Sequence, residues 1–275
     1  MESGIIFLLI VVVIGGFAFA KYLRDKYLAQ RVKEMYDNKH IAYDAILQQY
    51  IPYYRGLDAV QKDRFLKRAL IFKATKHFEF VEMQEEEHMS LLISAAAIQL
   101  TFGLQHFLMD HFHKIYVMKR DYHFGLFNVP FQGHVSDDGI YLSWNNFLKS
   151  FANYTDGDNV ALHEMAHALA YVNFPEHVHD GEDEVFQHRW YRIFTTTGHK
   201  VFDRMQAGEL NMLGSYAATN YQEFWAVCVE NFFERPQIFQ IQLPELYDAI
   251  CKLLNQDLLK PGIFLEAIID DYSQY

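Results

Sequence analysis

Cysteine is nearly absent from this chain: Cys228 and Cys251 are the only two in 275 residues. Neither belongs to a CxxC pair, so a disulfide framework and a cysteine-rich structural zinc site are both excluded. The two read as buried thiols of a reducing compartment. Glycine (14) and proline (6) are also scarce, which excludes collagen-like, linker-like and low-complexity chains and leans toward helix. Basic residues are outnumbered, 24 Lys and Arg against 35 Asp and Glu, leaving a formal charge of −11 and a pI near 5.6. A nucleic-acid binder held by a basic surface is therefore not expected. No internal repeat and no Ser/Gly linker divides the chain. Abundance lies in the aromatics, 16% of residues with 24 Phe and 18 Tyr, within a hydrophobic fraction of 51% that suits a folded domain with a real core. Fourteen histidines are a first pointer to metal chemistry.

From Ser3 to Ala20 the sequence SGIIFLLIVVVIGGFAFA carries no charge. As a helix it would reach roughly 27 Å, just short of a hydrocarbon core of about 30 Å, and Tyr22 and Leu23 extend it. Ala18-Phe19-Ala20 resembles a signal-peptide cleavage site, but the three residues before Gly4 hold no Lys or Arg. The positive charges follow the run instead, at Lys21, Arg24, Lys26, Arg31 and Lys33. The expectation is an uncleaved anchor over residues 1–23, with the N-terminus outside and the remaining chain on the cytoplasmic face.

Beyond the run, residues 21–60 read as helix ending near Pro52, and Asp58 to about Phe78 as an amphipathic helix capped by Asp58. An acidic run, Glu82 to Glu87, leads into the Ala-centred helix HMSLLISAAAIQLTFGL. From Lys114 the texture changes to short aromatic and β-branched runs broken by Gly, Pro and Asp-Asp-Gly. That is hairpin chemistry, with the tightest turn at Asp138-Gly139. Helix resumes after Trp144. The expected fold class is α+β, mainly helical with a small sheet.

The chemical centre is NVALHEMAHALAYV, in which His163, Glu164 and His167 form HExxH. Histidines at i and i+4 share a helix face and can share a metal, and the adjacent glutamate can reach water there without being a ligand. Asp156 and Asp158 offer N-caps upstream. A catalytic zinc takes three protein ligands and one open position, so a third ligand is needed. HExxHxxGxxH is excluded, because Ala170 and Asn173 stand where Gly and His would be. His177 and His179 are candidates from a nearby loop. So are Glu223 and Glu230, on a helix that capping-box spacings (Thr219 with Gln222, Asn220 with Glu223) start near residue 220. Glu223 is the better candidate; Glu230 is either the ligand instead or the group that holds a histidine ring N–H. His106, His111 and His113 read as ordinary hydrogen-bonded histidines.

LHEMAHAL, followed about fifty residues later by SYAATNYQEFWAVCVENFFERP, resembles the MtfA family. These are zinc metallopeptidases named for Mlc titration factor A, with a catalytic core like that of anthrax lethal factor. The resemblance runs from about Asp58 to Leu259 and includes GIYLSWNNF and PELYDAICKLLNQD. It implies a zincin-like metallopeptidase domain over residues 58–275, preceded by a helical juxtamembrane segment 24–57. It also implies zinc on His163, His167 and Glu223, Glu164 as catalytic base, and Tyr216 as transition-state stabiliser. Tyr216 could instead be a buried tyrosine capping the next helix. Ala168-Leu169-Ala170 departs from the polar residue that family members tend to carry soon after the second histidine. The implied activity is peptide-bond hydrolysis, with the strand at Gly139–Trp144 a candidate for binding an extended substrate. The N-terminal anchor is a second departure, since soluble members lack it; the uncharged run and the charges after it place the chain at the bacterial cytoplasmic membrane, single-pass, and the acidic composition leaves no nucleic-acid partner expected. The alternative is a tethered binding protein that sequesters a cytoplasmic transcriptional regulator, with weak or incidental peptidase activity. Glu164 favours catalysis, since a pure scaffold has no use for it.

Overall fold

A computed structural model of the chain describes residues 2–123, 130–173, 186–260 and 263–266, apart from the side chains of 2–10 and 172. His177 and His179 lie outside the described residues. The first helix, α1 (Glu2–Tyr50), is continuous through the apolar run and beyond it. Its residues Val11–Ala20 are exposed, including Phe17 and Phe19. Among the described residues no helix is long and apolar enough to cross a membrane, and the first part of the run lies outside the described side chains. The far end of α1 behaves differently: Tyr43 and Leu47 are buried in the core.

Pro52 opens the short α2 (Pro52–Arg55), and α3 (Ala59–Thr75) starts at a reciprocal capping box. There Gln61 N donates to Asp58 Oδ1 (2.8 Å) and Asp58 N donates to Gln61 Oε1 (3.0 Å). The helix stops at Thr75, and residues His77–Val81 form strand β1. The expected extension to Phe78 is thus cut short by a strand. Of the acidic run only Glu87 enters α4 (Glu87–Thr101), while Glu82 adopts a positive φ of 57° in the preceding turn. Ala95, Ala96 and Ala97 are fully buried, so α4 packs closely between α3 and the helix that carries HExxH. Arg68 of α3 is buried as well; its guanidinium donates to the carbonyls of Phe102 and Leu104, just past the end of α4, and lies over the Phe107 ring. This gives the carbonyls past the helix end a donor and sets the buried cation against an aromatic face.

Strands β2 (Lys114–Met118), β3 (Gly133–Ser136) and β4 (Gly139–Ser143) complete a four-stranded sheet of order β1-β2-β4-β3. β1, β2 and β4 run parallel, and β3 returns antiparallel to β4. The hairpin turns on Asp137 and Asp138, because Ser136 pairs with Gly139. Gly139 has φ +151°, and a Cβ there would stand 2.6 Å from the Lys114 carbonyl oxygen. A side chain at that position would therefore break the β2–β4 approach. Ile115, Val117, Ile140 and Leu142 turn one face of the sheet into the core. Helix α5 (Trp144–Ala152) follows at once, then α6 (Val160–Asn173), α7 (His188–Gln206), a single 3-10 turn Tyr216–Ala218, α8 (Tyr221–Glu234), α9 (Pro236–Gln242) and α10 (Pro244–Leu254). The chain is mainly helical with one small mixed sheet, an α+β fold.

Strand order corrects one expectation. β4 is hydrogen-bonded on both sides, to β2 and to β3, so Gly139–Ser143 has no open edge for a substrate. The edges are β1 and β3, and of these β3 packs against α6.

Candidate metal centre

Two N-caps fix the registers that bring the site together. α6 begins at Asn159, whose side-chain Oδ1 accepts from Leu162 N (3.0 Å), rather than at Asp156 or Asp158. The Asn159 side chain also donates to Glu234 of α8 (2.8 Å), and the Glu234 carboxylate accepts from Gly157 N (2.8 Å). α8 begins at Asn220, whose side chain accepts from Glu223 N (2.9 Å). Across the contact between the two helices, the Trp225 indole N–H donates to the Ala166 carbonyl (2.8 Å). Small residues on α6 (Ala161, Ala166, Ala168) are fully buried and allow close packing.

This packing brings His163, His167 and Glu223 together. Their donor atoms lie within 4.8 Å of one another, the one such three-ligand group among the described residues. His163 Nε2 is 3.0 Å from Glu223 Oε2 and 3.0 Å from His167 Nε2, and His167 Nε2 is 3.4 Å from Glu223 Oε2. Bonds of about 2.0–2.1 Å to a tetrahedral ion place ligand atoms roughly 3.3 Å apart, so the donor set and its spacing fit zinc. His163 turns its other nitrogen, Nδ1, to Glu230 Oε1 (2.8 Å). In the neutral ring that bond fixes Nδ1 as the donor and leaves Nε2 as a lone pair facing the cluster.

Glu164 is buried, 5% exposed, and its Oε2 has no hydrogen-bond partner. Such an atom costs free energy unless something occupies the space before it. The edge strand holds the residue in place: a Cβ on Gly133 would lie 2.6 Å from both Cδ and Oε1 of Glu164. Tyr216 is 57% exposed and its ring centroid is 6.0 Å from that of His163. It is therefore not a buried capping tyrosine; it faces the cleft.

The electrostatics are those of a cation site. Burial alone would depress His163, but its bonds to Glu223 and Glu230 outweigh that and lift its pKa to about 10. Burial would raise Glu223, yet the bonds from His163 and His167 hold it well below the ordinary carboxylate range. Glu164 is pushed up to about 8 by burial, which the nearby His163 only partly offsets and the Glu223 and Glu230 charges reinforce. His167 is lowered by burial. A proton on His163 balances the carboxylates here, in the position a metal ion would take over.

A cleft runs past the cluster on both sides of Glu164. One part, about 400 Å³, is lined by His134 and Val135 of β3, by His167, Ala170 and Tyr171 of α6, and by Gln222. The other, about 530 Å³, lies toward the start of α6. His111 is not near the cluster; it packs on Phe112 and Tyr171. Cys228 and Cys251 are both free and buried, and burial raises both thiols, Cys251 to about 12. Pattern reading missed Gly133, Asn159 and Glu234. Glutamates at 223, 230 and 234 on one helix were a signal, since all three turn toward α6.

Comparison with known proteins adds an independent line. The sequence profile of the family described as glucose-regulated metallo-peptidase M90 matches residues 26–254. A Synechocystis sp. protein described as uncharacterized protein slr2042 is 26% identical over 266 residues, covering 88% of this chain and 92% of its own. Mlc titration factor A of Yersinia pestis is 30% identical over 127 residues, 44% of this chain and 45% of its own length. The same protein of Yersinia pseudotuberculosis matches equally.

Proposed function

Because the chain belongs to the M90 metallopeptidases, the MtfA family, we propose that it is a zinc-dependent peptidase whose zinc is held by His163, His167 and Glu223. The observation that carries this reading is the convergence of those three donors beside the buried, unpartnered carboxylate of Glu164. Zinc bound there supplies Lewis acidity, which acidifies water and polarises a carbonyl. Glu164 takes a proton from the attacking water and delivers it to the leaving amine nitrogen, at a pKa that burial has moved toward neutrality. Tyr216, on the rim of the cleft, donates a hydrogen bond to the carbonyl oxygen as it gains charge. Glu230 holds the His163 ring through Nδ1. The substrate adds to the open edge of β3 as an extended strand, its scissile bond over Gly133 and Glu164.

The exposed apolar residues Val11–Ala20 of α1 support an anchor over residues 1–23, with residues 24–57 and the zincin-like domain 58–275 on the cytoplasmic side of a bacterial inner membrane. Fusing a reporter to either end and assaying protease protection in vesicles tests that placement. For the Yersinia relatives, the name Mlc titration factor A records a titrated partner. Regulator binding by this chain is the second reading, and Glu164 weighs against it as the whole function. Zinc content and peptide turnover, compared between the wild type and Glu164→Gln, test the peptidase reading.

A further inference from the structure

The part of the cleft at the start of α6 has a chemical character of its own. Its described lining includes apolar Val160, Leu213 and Val227, each buried, and the carboxyl groups of Asp158, Glu164 and Glu230. No lysine or arginine lines it among the described residues. Glu230 is committed to His163 and Glu164 to the reaction, which leaves Asp158, exposed at the rim, as the charge a ligand would meet. Arg235 donates to the neighbouring Asp156 carbonyl instead. Glu164 lines this space as well, so the cavity adjoins the reacting position.

Strand direction says which part of a substrate enters it. β3 runs from Gly133 to Ser136, and the cavity lies at its beginning, against Pro130, Phe131 and Gln132. A peptide added antiparallel to β3 runs the other way; Phe131 is already paired with Tyr122, so past Gly133 the residue after the cut bond leaves the strand and turns into the cavity. We propose that this cavity selects lysine or arginine at the residue following the cleaved bond. The aliphatic stem packs on Val160, Leu213 and Val227, and the cationic head meets Asp158. The inference rests on the peptidase reading and adds a substrate class to it.

The test uses the zinc-loaded full chain in detergent and peptides that differ only in Lys, Arg, Leu or Glu at one position, with cut sites read by mass spectrometry. Lys and Arg should be cut after the preceding residue with kcat/KM about fivefold above Leu, the scale of a rim ion pair, and further above Glu. Asp158→Asn should abolish the advantage, and Asp158→Lys should reverse the order of Lys and Glu. Peptide affinity for Glu164→Gln, measured by fluorescence anisotropy, should rank the same way without turnover. Cleavage with no basic preference, with the same ranking in Asp158→Asn, or with the basic residue before the cut overturns this inference alone. No cleavage of any peptide, with no binding to Glu164→Gln, overturns the peptidase reading and this inference with it.

Discussion

Replacing Gly133 by alanine puts a methyl group where the Glu164 side chain already lies. The added Cβ would stand 2.6 Å from the Glu164 Cδ and Oε1, against about 3.4–4 Å for ordinary contact, so the carboxyl group has to retreat by roughly 1 Å. The backbone of β3 is constrained by its pairing with β4, from Gly133 opposite Leu142 to Ser136 opposite Gly139, and the Glu164 side chain yields first. Overpacking of this size costs about 1–3 kcal/mol of stability, short of what unfolds a domain. A 1 Å misplacement of a group in proton transfer costs about 100-fold in rate. The three atoms nearest the new methyl group all belong to Glu164, none to His163, His167 or Glu223. Gly133→Ala should therefore bind zinc in the wild-type ratio, unfold at modestly lower urea concentration, and lose about 100-fold in kcat/KM. Elemental analysis, urea denaturation and peptide turnover on one preparation measure all three. Wild-type turnover would refute the placement of Glu164 against the edge strand, and loss of zinc would show that β3 supports the ligands instead.

Further expectations follow from the same geometry. His163→Ala, His167→Ala and Glu223→Ala should each weaken zinc by at least about 100-fold, read by competition with a chelating dye. Glu230→Gln should weaken it about 10–100-fold and leave the fold intact, because the amide keeps an acceptor for the Asn159 backbone N–H and the charge lost is the one that holds His163 Nδ1. Tyr216→Phe should lower kcat by about 10–100-fold at nearly unchanged KM, since a hydroxyl that rests on Glu223 and turns to developing charge contributes little to ground-state binding. In the metal-free protein, Glu164 has its pKa raised from 4.5 to about 8, chiefly by burial. The folded chain thus holds a proton that the unfolded chain releases between those values, so this stabilisation is complete below about pH 4.5 and is lost as pH rises through about 8. Chelator-treated Glu164→Gln should match the wild type near pH 4.5 and exceed it at pH 9 by about 2–5 kcal/mol in urea denaturation. Equal stability at both values would contradict the burial of an ionisable Glu164.

Much of the site was legible because its parts are local. HExxH fixes His163 and His167 on one face of a helix, and Asn220 before a helical run fixes the register of Glu223. Pattern favours Glu223 as the ligand but leaves Glu230 open, since both stand on the face turned to α6. The distances separate them: Glu223 meets both histidines at Nε2, whereas Glu230 meets only His163 Nδ1. The cap of α6 lies one residue past Asp158 and three past Asp156, which are as good capping types as Asn159. The choice is made by Glu234, 75 positions away, which holds Asn159. β1 was hidden in the tail of a helical pattern, because HFEFV is short and its partner β2 lies beyond α4. The open edge of the sheet was assigned to β4 rather than β3 for the same reason. A hairpin signal reveals that two strands pair but not which of them meets a third, and here β2 takes the free side of β4. The contact of Gly133 with Glu164 is tertiary and leaves no mark in local sequence.

The most direct test of the central claim is zinc stoichiometry measured beside peptide turnover for the full chain and for Glu164→Gln. The account predicts one zinc per chain in both proteins, turnover in the wild type, and loss of turnover in the variant. A chain without zinc, or a Glu164→Gln variant that cleaves peptides as fast as the wild type, would contradict it.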